Sequence, residues 1–159
     1  MSIRIRKMCP EDHDAAIAIL DKWNMAPVEP SDDIENPERS VLDVEKSFVA
    51  VDNGGVVGVC SYILHSPELA ETASLAVDPS CRGKGIGYRL QVARLNEMKR
   101  IGIRKVHTET DREATIQWYI NKFGYRRTGS NPKKHDFSLT DVDTWTVLQL
   151  ELDDYEIRE

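Results

Sequence analysis

The chain has 159 residues, 40% of them hydrophobic and 30% charged, which is typical of one soluble globular domain. Its formal net charge of -6 argues against broad binding to nucleic acid or to a membrane surface, since both require a basic face. The three cysteines form no C-x-x-C pair, so neither a disulfide framework nor a zinc site is indicated, and no metal is expected. The sequence contains no apolar run typical of a signal or a membrane span, which predicts a cytoplasmic protein.

The first part of the chain predicts a strand followed by a helix. Isoleucines alternate with arginines over residues 2–8, as in a half-buried strand. Pro10 and the two acids after it are typical of a first helical turn, and the helix is predicted to reach about Trp23. Residues 24–39 are rich in proline and acid. This segment reads either as a solvated loop or as a lid that attracts a cationic amine, through the acids Glu29, Asp32, Asp33, Glu35 and Glu38.

Three further strands are predicted next. Apolar residues alternate over Ser47–Asp52, and the pattern resumes over Val56–Ile63. The intervening Asn53-Gly54-Gly55 is a strong hairpin signal. A third run, Leu69–Val77, follows a Ser-Pro turn and leads into a glycine-rich loop.

The glycine-rich loop predicts an anion site. Pro79 ends the preceding strand because it has no N–H to donate. The three glycines that follow leave backbone N–H groups uncovered, and a helix predicted from Gly87 to about Arg100 places its positive end beside them. Arg82 and Lys84 add positive charge, so a phosphate is the expected ligand.

Three phosphate-binding patterns are candidates for this loop. A P-loop requires Ser or Thr after its lysine, but Lys84 is followed by glycine. A dinucleotide fingerprint requires G-x-G-x-x-G, whereas this loop reads G-x-G-x-G. The pattern R-x-x-G-x-G is met by Arg82, Gly85 and Gly87. Together with the strand ending Leu-Ala-Val-Asp-Pro, it resembles the coenzyme A signature of the GNAT N-acetyltransferases.

The second half of the chain extends this resemblance. A strand is predicted over 104–110, then a helix capped by Asp111 and ended by Gly124. Strands at 125–127 and 143–152 follow, with a turn at 131–135 between them. Residues 153–159 carry no packing signal and read as a flexible acidic tail.

The resemblance covers nearly the whole chain, 1–159, as a single N-acetyltransferase domain. It implies an α/β (α+β) fold with a mixed, mostly antiparallel sheet flanked by helices. It also implies acetyl-CoA as co-substrate, no metal, and a small-molecule or peptidyl amine as acceptor. Strand edges near the C-terminus pair two such domains in some members, which makes a homodimer one option. The residues it assigns to the cofactor are Leu75, Ala76, Val77, Arg82, Gly83, Lys84, Gly85, Ile86, Gly87 and Tyr88.

The resemblance also suggests a general base. Some GNAT enzymes place a catalytic glutamate at the start of the strand before the loop, which here is Glu71. Simple alternation puts Glu71 on one face with Ala73, Leu75 and Val77, and a glutamate on an apolar face requires a reason. An edge residue reaching solvent is the alternative. Weaker candidates for the base are Asp78, His107 and Glu109.

The general acid implied by the family is Tyr119, which would protonate the departing thiolate. The family pattern has three residues between this tyrosine and the following glycine, but here four residues separate Tyr119 from Gly124. A strict count reaches Ile120, and Tyr119 also fits a packed core tyrosine. Direct transfer requires no nucleophile, so Cys81 is disfavoured.

Two rival functions remain open at this point. A coenzyme A-binding sensor would keep the fold without catalysis. A nucleotide-binding domain would bind ATP or NADH instead of coenzyme A.

Overall fold

The computed structural model describes residues 3–27, 42–133 and 138–158, and these form one seven-stranded sheet with three α-helices. The strands are β1 (Arg4–Lys7), β2 (Ser47–Asp52), β3 (Gly55–Leu64), β4 (Leu69–Val77), β5 (Lys105–Thr110), β6 (Arg126–Pro132) and β7 (Thr144–Glu151). The helices are α1 (His13–Asp21), α2 (Ile86–Arg100) and α3 (Glu113–Phe123). The predicted bounds of β2 and β4 match the structure to the residue. No helix in the described ranges is long and apolar enough to cross a membrane.

The sheet has the order β1-β2-β3-β4-β5-β7-β6. Neighbouring strands are antiparallel except for β4 and β5, which are parallel. This confirms the predicted mixed, mostly antiparallel sheet. The parallel pair arises because α2 crosses over between these two strands, whereas the hairpins join antiparallel neighbours.

The sheet is a layer between α1 on one face and α2 with α3 on the other. On β3, Val59 packs in a cluster with Leu20 of α1, while the next residue, Cys60, packs with Leu90 of α2. Successive side chains of a strand point to opposite faces, so these contacts define the two sides. Tyr119 of α3 lies in a third cluster with residues of α2, on the α2 side.

A β-bulge interrupts β4. Ser61 of β3 lies opposite Ser74, but the next residue, Tyr62, lies opposite Thr72, which leaves Ala73 as an extra residue. One extra residue exchanges the two faces of the strand on either side of it. Leu75 packs on the α2 side and so does Ala70, which places Glu71 on the α1 side. The prediction that Glu71 shares a face with Leu75 is therefore wrong.

Several predicted boundaries also differ. Helix α2 begins at Ile86, before Gly87, and the segment predicted as a turn contributes Asn131 and Pro132 to β6. The predicted N-cap of α3 is wrong, since Arg112 holds that position. Asp111 instead accepts hydrogen bonds from three groups beyond β6: Lys133 Nζ (2.6 Å), Ser138 Oγ (3.0 Å) and the Leu139 N–H (2.9 Å).

Two residues of the C-terminal segment, Tyr155 and Arg158, contact the rest of the domain, although its composition carried no packing signal. Tyr155 is 4% exposed, and its hydroxyl donates to Asn96 Oδ1 of α2 at 2.7 Å. The Arg158 guanidinium lies 4.8 Å from the centre of the Phe123 ring. The acidic composition of this segment did not indicate packing. Burial of the Tyr155 ring stabilises the contact, whereas the carboxylates around it stay in solvent.

Candidate active site

The two parallel strands separate soon after they begin. The β4–β5 ladder runs only from Leu69–Lys105 to Glu71–His107. Thr108 Oγ1 donates to the Thr72 carbonyl at 2.7 Å just beyond it. From there β5 follows β7 while β4 follows β3 to Val77, so no strand of the described residues pairs with this edge of β4. An open strand edge can accept an extended ligand as an additional strand.

The open edge presents the main-chain groups of Leu75 and Val77. The Asp78 N–H donates to the Val57 carbonyl of β3 at 2.8 Å. Because main-chain groups alternate between the two edges of a strand, those of Val77 and Leu75 point away from β3 and those of Ala76 point toward it. The Val77 carbonyl accepts a hydrogen bond from the indole N–H of Trp23 at 2.9 Å. Of the predicted cofactor residues in β4, Leu75 and Val77 therefore direct their main-chain polar groups to the open edge, and Ala76 does not.

A tight turn connects β4 to the glycine loop. The Asp78 carboxylate accepts from the Ser80 N–H (3.0 Å), the Ser80 hydroxyl (2.8 Å) and Lys22 Nζ (3.1 Å). These bonds, above all that from the Ser80 N–H, lower the pKa of Asp78 to about 2. The carboxylate is thus committed to the turn, which weakens its candidacy as a general base.

The glycine loop ends at an uncapped helix. Gly83 and Gly85 have φ values of +82° and +74°, and a Cβ at either position would meet no atom within 4 Å. Their backbone conformation therefore accounts for glycine here, since packing would admit a side chain. Gly85 is the N-cap of α2; among the residues that the structure describes no side chain caps it, and no acidic residue lies in the first turn. The N–H groups of the first turn have no intrahelical acceptor and are available to an anion.

Cationic side chains surround this loop. Arg82 and Lys84 are exposed. The guanidinium groups of Arg82 and Arg112 both lie over the Trp23 ring, at 5.5 Å and 5.2 Å from its centre. Among the described residues, Arg112 Nε is buried and finds no hydrogen-bond partner. Within the described ranges these N–H donors and cations have no anionic partner, and such a group of donors and cations fits the phosphates of a coenzyme.

The residues predicted to bind the cofactor around the start of α2 differ in their exposure to solvent. Gly83 and Gly85 are exposed, and Tyr88 is 38% exposed. Ile86 is buried against the sheet, so it offers the loop only its N–H group.

Glu71 is enclosed by two histidines. Its side chain is 2% exposed, and its Oε1 atom lies 2.9 Å from His65 Nε2 and 3.4 Å from His107 Nε2. The two imidazoles are stacked with their centres 5.1 Å apart. Two of the predicted candidates for the base, Glu71 and His107, thus belong to one cluster. A buried carboxylate with nearby imidazoles can hold and release a proton.

Tyr119 lies in the core beside a buried arginine. Its hydroxyl is 3.0 Å from Arg94 Nη2, which donates to it. Arg94 is fully buried; its Nη1 donates to the carbonyls of Ser61 (2.8 Å) and Ser74 (2.7 Å), and its Nε donates to Gln91 (2.7 Å). Through Arg94, these hydrogen bonds therefore connect Tyr119 to β3 and β4 next to the bulge.

The structure separates the two predicted catalytic side chains by the thickness of the sheet. Glu71 is on the α1 side, and Tyr119 is in the core on the α2 side. Glu71 lies at the last residue pair of the β4–β5 ladder, and Tyr119 is connected to Ser74 of β4 through Arg94. Cys81 is partly buried next to the loop, and its sulfur lies 3.7 Å from the Ser80 hydroxyl. Most of the acidic segment predicted as a lid lies outside the described residues.

Sequence reasoning did not identify His65, Arg94, Trp23 or Arg112 as site residues. One signal was present for Arg94, since it lies one turn after Leu90 and one turn before Met98 on the buried face of α2. The others meet through tertiary contacts between distant segments, which residue spacing does not reveal.

Comparisons with known proteins agree with this geometry. A family model described as "Acetyltransferase (GNAT) domain" matches residues 43–127. The curated N-alpha-acetyltransferase 30 of Schizosaccharomyces pombe is 35% identical over 89 residues, which are 52% of this chain and 59% of that protein. The match thus spans less than two thirds of the relative.

Solved structures share the fold over almost the whole chain. Ard1 from Thermoplasma volcanium superposes with a TM-score of 0.75 at 22% identity, covering 95% of this chain and 98% of that one. N-acetylglutamate synthase from Neisseria gonorrhoeae, solved with coenzyme A and N-acetyl-glutamate, gives a TM-score of 0.69 at 16% identity. That match covers 96% of this chain and 35% of the synthase.

Proposed function

This chain belongs to the GNAT acetyltransferase family, and from that premise we propose that it transfers an acetyl group from acetyl-CoA to a primary amine. One observation carries the proposal. An uncapped helix N-terminus with a glycine loop directly follows a strand whose edge is open. The first feature suits a diphosphate and the second suits an extended arm that bears polar amide groups.

The chain's own groups account for coenzyme binding. The N–H groups of Gly85–Tyr88 would hold the diphosphate, with Arg82 and Lys84 adding charge-assisted contacts. The main-chain groups of Leu75 and Val77 would align the arm along β4. The bound acetyl-CoA supplies an activated acyl group. For the arm to use the Val77 carbonyl, the Trp23 indole has to release it.

Glu71 is proposed as the general base. An amine must lose its proton to attack, and the ordinary pKa of an α-amino group is about 7.7–8.0 and that of a lysine about 10.4. The Glu71 carboxylate accepts this proton. The imidazoles of His65 and His107 orient the carboxylate, since both lie within 3.4 Å of one of its oxygens. Holding the two reactants side by side makes a covalent enzyme intermediate unnecessary.

Tyr119 is proposed as the general acid. Its oxygen accepts from Arg94, and its own O–H, for which the described part of the chain supplies no acceptor, would donate toward the departing thiolate. Arg94 fixes this orientation through the carbonyls of Ser61 and Ser74 at the bulge. The buried position limits water access to the proton.

The proposed acceptor is an amine of a small molecule or of a peptide. A peptide N-terminus is the first candidate to test, because the curated relative is named as an N-alpha-acetyltransferase.

A second candidate function is a coenzyme A-binding sensor. Tyr119 is only 3% exposed and Glu71 is enclosed by histidines, so both candidate catalytic groups are closed off from solvent. This arrangement would suit a domain that binds the coenzyme without turnover.

A thermal-shift titration with acetyl-CoA, coenzyme A, ATP and NADH tests the binding step. A ligand at 100 times its Kd adds about 2.7 kcal/mol of stability, which is several degrees in Tm. We expect a shift with both coenzyme A forms. A shift with ATP or NADH alone would overturn the assignment. Thiol release from acetyl-CoA with a panel of amines then separates the enzyme from the sensor, which would bind coenzyme A without turnover.

A further inference from the structure

Three potential metal ligands converge on the α1 side of the sheet. Glu71 lies in β4, His107 lies opposite it in β5, and His65 follows the end of β3. Glu71 Oε1 is 2.9 Å from one Nε2 atom and 3.4 Å from the other. The three ligand atoms all lie within 4.8 Å of one another. The separation of these residues in sequence explains why no spacing motif indicated them.

These distances resemble those between ligands of a tetrahedral metal ion. Ligands at about 2.0–2.2 Å from Zn²⁺ are separated by roughly 3.3–3.6 Å from each other at the tetrahedral angle. The oxygen–nitrogen distance of 3.4 Å lies within this range, and the distance of 2.9 Å is shorter than it. The two imidazole nitrogens lie within 4.8 Å of each other and would have to move closer together to share one ion.

The donor set selects the class of metal. Two imidazole nitrogens and one carboxylate oxygen suit Zn²⁺ and other divalent transition metals, whereas Mg²⁺ and Ca²⁺ prefer oxygen ligands alone. We propose that His65, Glu71 and His107 form a binding site for a divalent transition-metal ion such as Zn²⁺.

Burial and exposure favour such a site. The Glu71 carboxylate is 2% exposed and supplies one ligand charge, while the side chains of His65 and His107 are 26% and 23% exposed. An ion can therefore reach the cluster through the imidazoles and keep a fourth position for water. Binding requires both imidazoles to carry their remaining proton on Nδ1.

Occupancy of this site would inhibit acetyl transfer, a consequence that rests on the proposed function. The ion would bind the carboxylate oxygen that the general base needs, so the metal-bound protein would not accept a proton from the amine. Metal binding itself does not depend on this role and is measured without acetyl-CoA or an amine.

The experiment is a calorimetric titration of the full, chelator-treated chain with Zn²⁺, with Mg²⁺ as a contrasting ion. We expect one Zn²⁺ per chain and no comparable binding of Mg²⁺. His65→Gln and His107→Gln should each weaken Zn²⁺ binding about 100-fold, the upper end of what losing even an outer-shell partner costs. Glutamine retains an amide that can donate to Glu71, so the fold should persist.

The matched control is His13→Gln, which alters a histidine of α1 whose side chain is 40% exposed and whose Nδ1 lies 3.7 Å from Asp14. This variant should bind Zn²⁺ as the wild type does. Cys9→Ser removes an exposed thiol, an alternative zinc ligand, and should also have no effect.

Two outcomes would overturn the proposal. One is wild-type binding no tighter than that of the His65→Gln/His107→Gln double variant, with both proteins folded by circular dichroism. The other is loss of binding in Cys9→Ser. Co²⁺ in place of Zn²⁺ gives a second readout, because a tetrahedral nitrogen–oxygen site absorbs in the visible without the sulfur charge-transfer band. If the metal binds but the chain never acetylates an amine, the site stands and the proposed function fails.

Discussion

At the residue scale, Glu71 can be separated from its rivals by substitution. Glu71→Gln keeps the shape of the side chain but removes the proton acceptor. We expect kcat for acetyl transfer to fall about 100-fold or more, the range of general base catalysis. Measurement requires steady-state thiol release with an active amine.

The matched control is Glu109→Gln on β5, one of the alternative bases. It should leave kcat within about twofold, and both variants should retain the thermal shift with coenzyme A. The reverse pattern, activity lost in Glu109→Gln and kept in Glu71→Gln, would identify Glu109 of β5 as the general base instead.

Arg94 is predicted to be essential for stability. It is fully buried, and its donors satisfy the Ser61 and Ser74 carbonyls, the Gln91 amide oxygen and the Tyr119 hydroxyl. Arg94→Met fills much of the same volume but leaves these acceptors unpaired. We expect a loss of about 3–5 kcal/mol in the free energy of unfolding, measured by urea denaturation.

Arg100→Met, at the exposed end of the same helix, should change stability by no more than about 0.5 kcal/mol. Equal losses in the two variants would indicate a general intolerance of α2 to methionine. Such a result would exclude the loss of the Arg94 hydrogen bonds as the cause of the lower stability.

At the scale of elements, substitutions in the glycine loop distinguish the stability cost of backbone strain from the loss of coenzyme binding. Gly85 and Gly54 both have positive φ (+74° and +81°), and a Cβ at either meets nothing within 4 Å. Alanine at each position should therefore cost a similar amount, about 1–2 kcal/mol.

Only Gly85→Ala should weaken coenzyme A binding, because its Cβ enters the space in front of the α2 N-terminus. Isothermal titration calorimetry of the two variants measures this difference. Equal coenzyme affinity in both variants would place the diphosphate elsewhere.

The contact between β1 and the start of α1 predicts a pH effect. The Asp12 carboxylate accepts two bonds from the Arg6 guanidinium, at 2.7 Å and 3.1 Å, and one from the Cys9 N–H at 2.8 Å. The Arg6 bonds, foremost, lower the pKa of Asp12. A lowered pKa stabilises the fold above the ordinary value near 3.9, and this stability is lost as the pH falls through the folded-state value.

Asp12→Asn should therefore be about 1 kcal/mol less stable than the wild type at pH 7, and this difference should shrink as the pH falls toward 2. Asp14→Asn, which alters a fully exposed neighbour, should give the wild-type curve. Urea denaturation from pH 7 to pH 2 measures both. A difference independent of pH would show that Asp12 acts only through packing.

At the scale of the whole molecule, the sequence predicted most of the fold because its signals are local. Alternation and the Asn53-Gly54 hairpin placed β2, β3 and β4 nearly to the residue. The bulge at Ala73, the core position of Arg94 and the packing of Tyr155 escaped prediction, since each depends on a partner far away in the chain. The cofactor assignments to individual residues and the roles of Glu71 and Tyr119 remain predictions.

The C-terminal segment is predicted to stabilise the whole domain. Tyr155 is 4% exposed within the cluster that joins α2, α3 and β7, and its hydroxyl donates to Asn96. Tyr155→Ala should cost about 3–5 kcal/mol, which lowers Tm by roughly 10 °C. Calorimetry of this variant beside Ile157→Ala, an exposed neighbour, measures the effect. A small loss in Tyr155→Ala would restore the view of a free tail.

The extra residue in β4 also affects how relatives should be aligned. In this chain Ala73 is an extra residue, so the side chain of Glu71 lies on the α1 side of the sheet and that of Thr72 on the α2 side. In a chain without an equivalent of Ala73, the two positions counted back from the glycine loop lie on the opposite sides. A relative without that residue would direct the side chain aligned with Thr72 toward the α1 side. Searches for the catalytic carboxylate should therefore allow a one-residue gap within this strand, because an ungapped comparison would pair residues from opposite faces of two otherwise similar sheets.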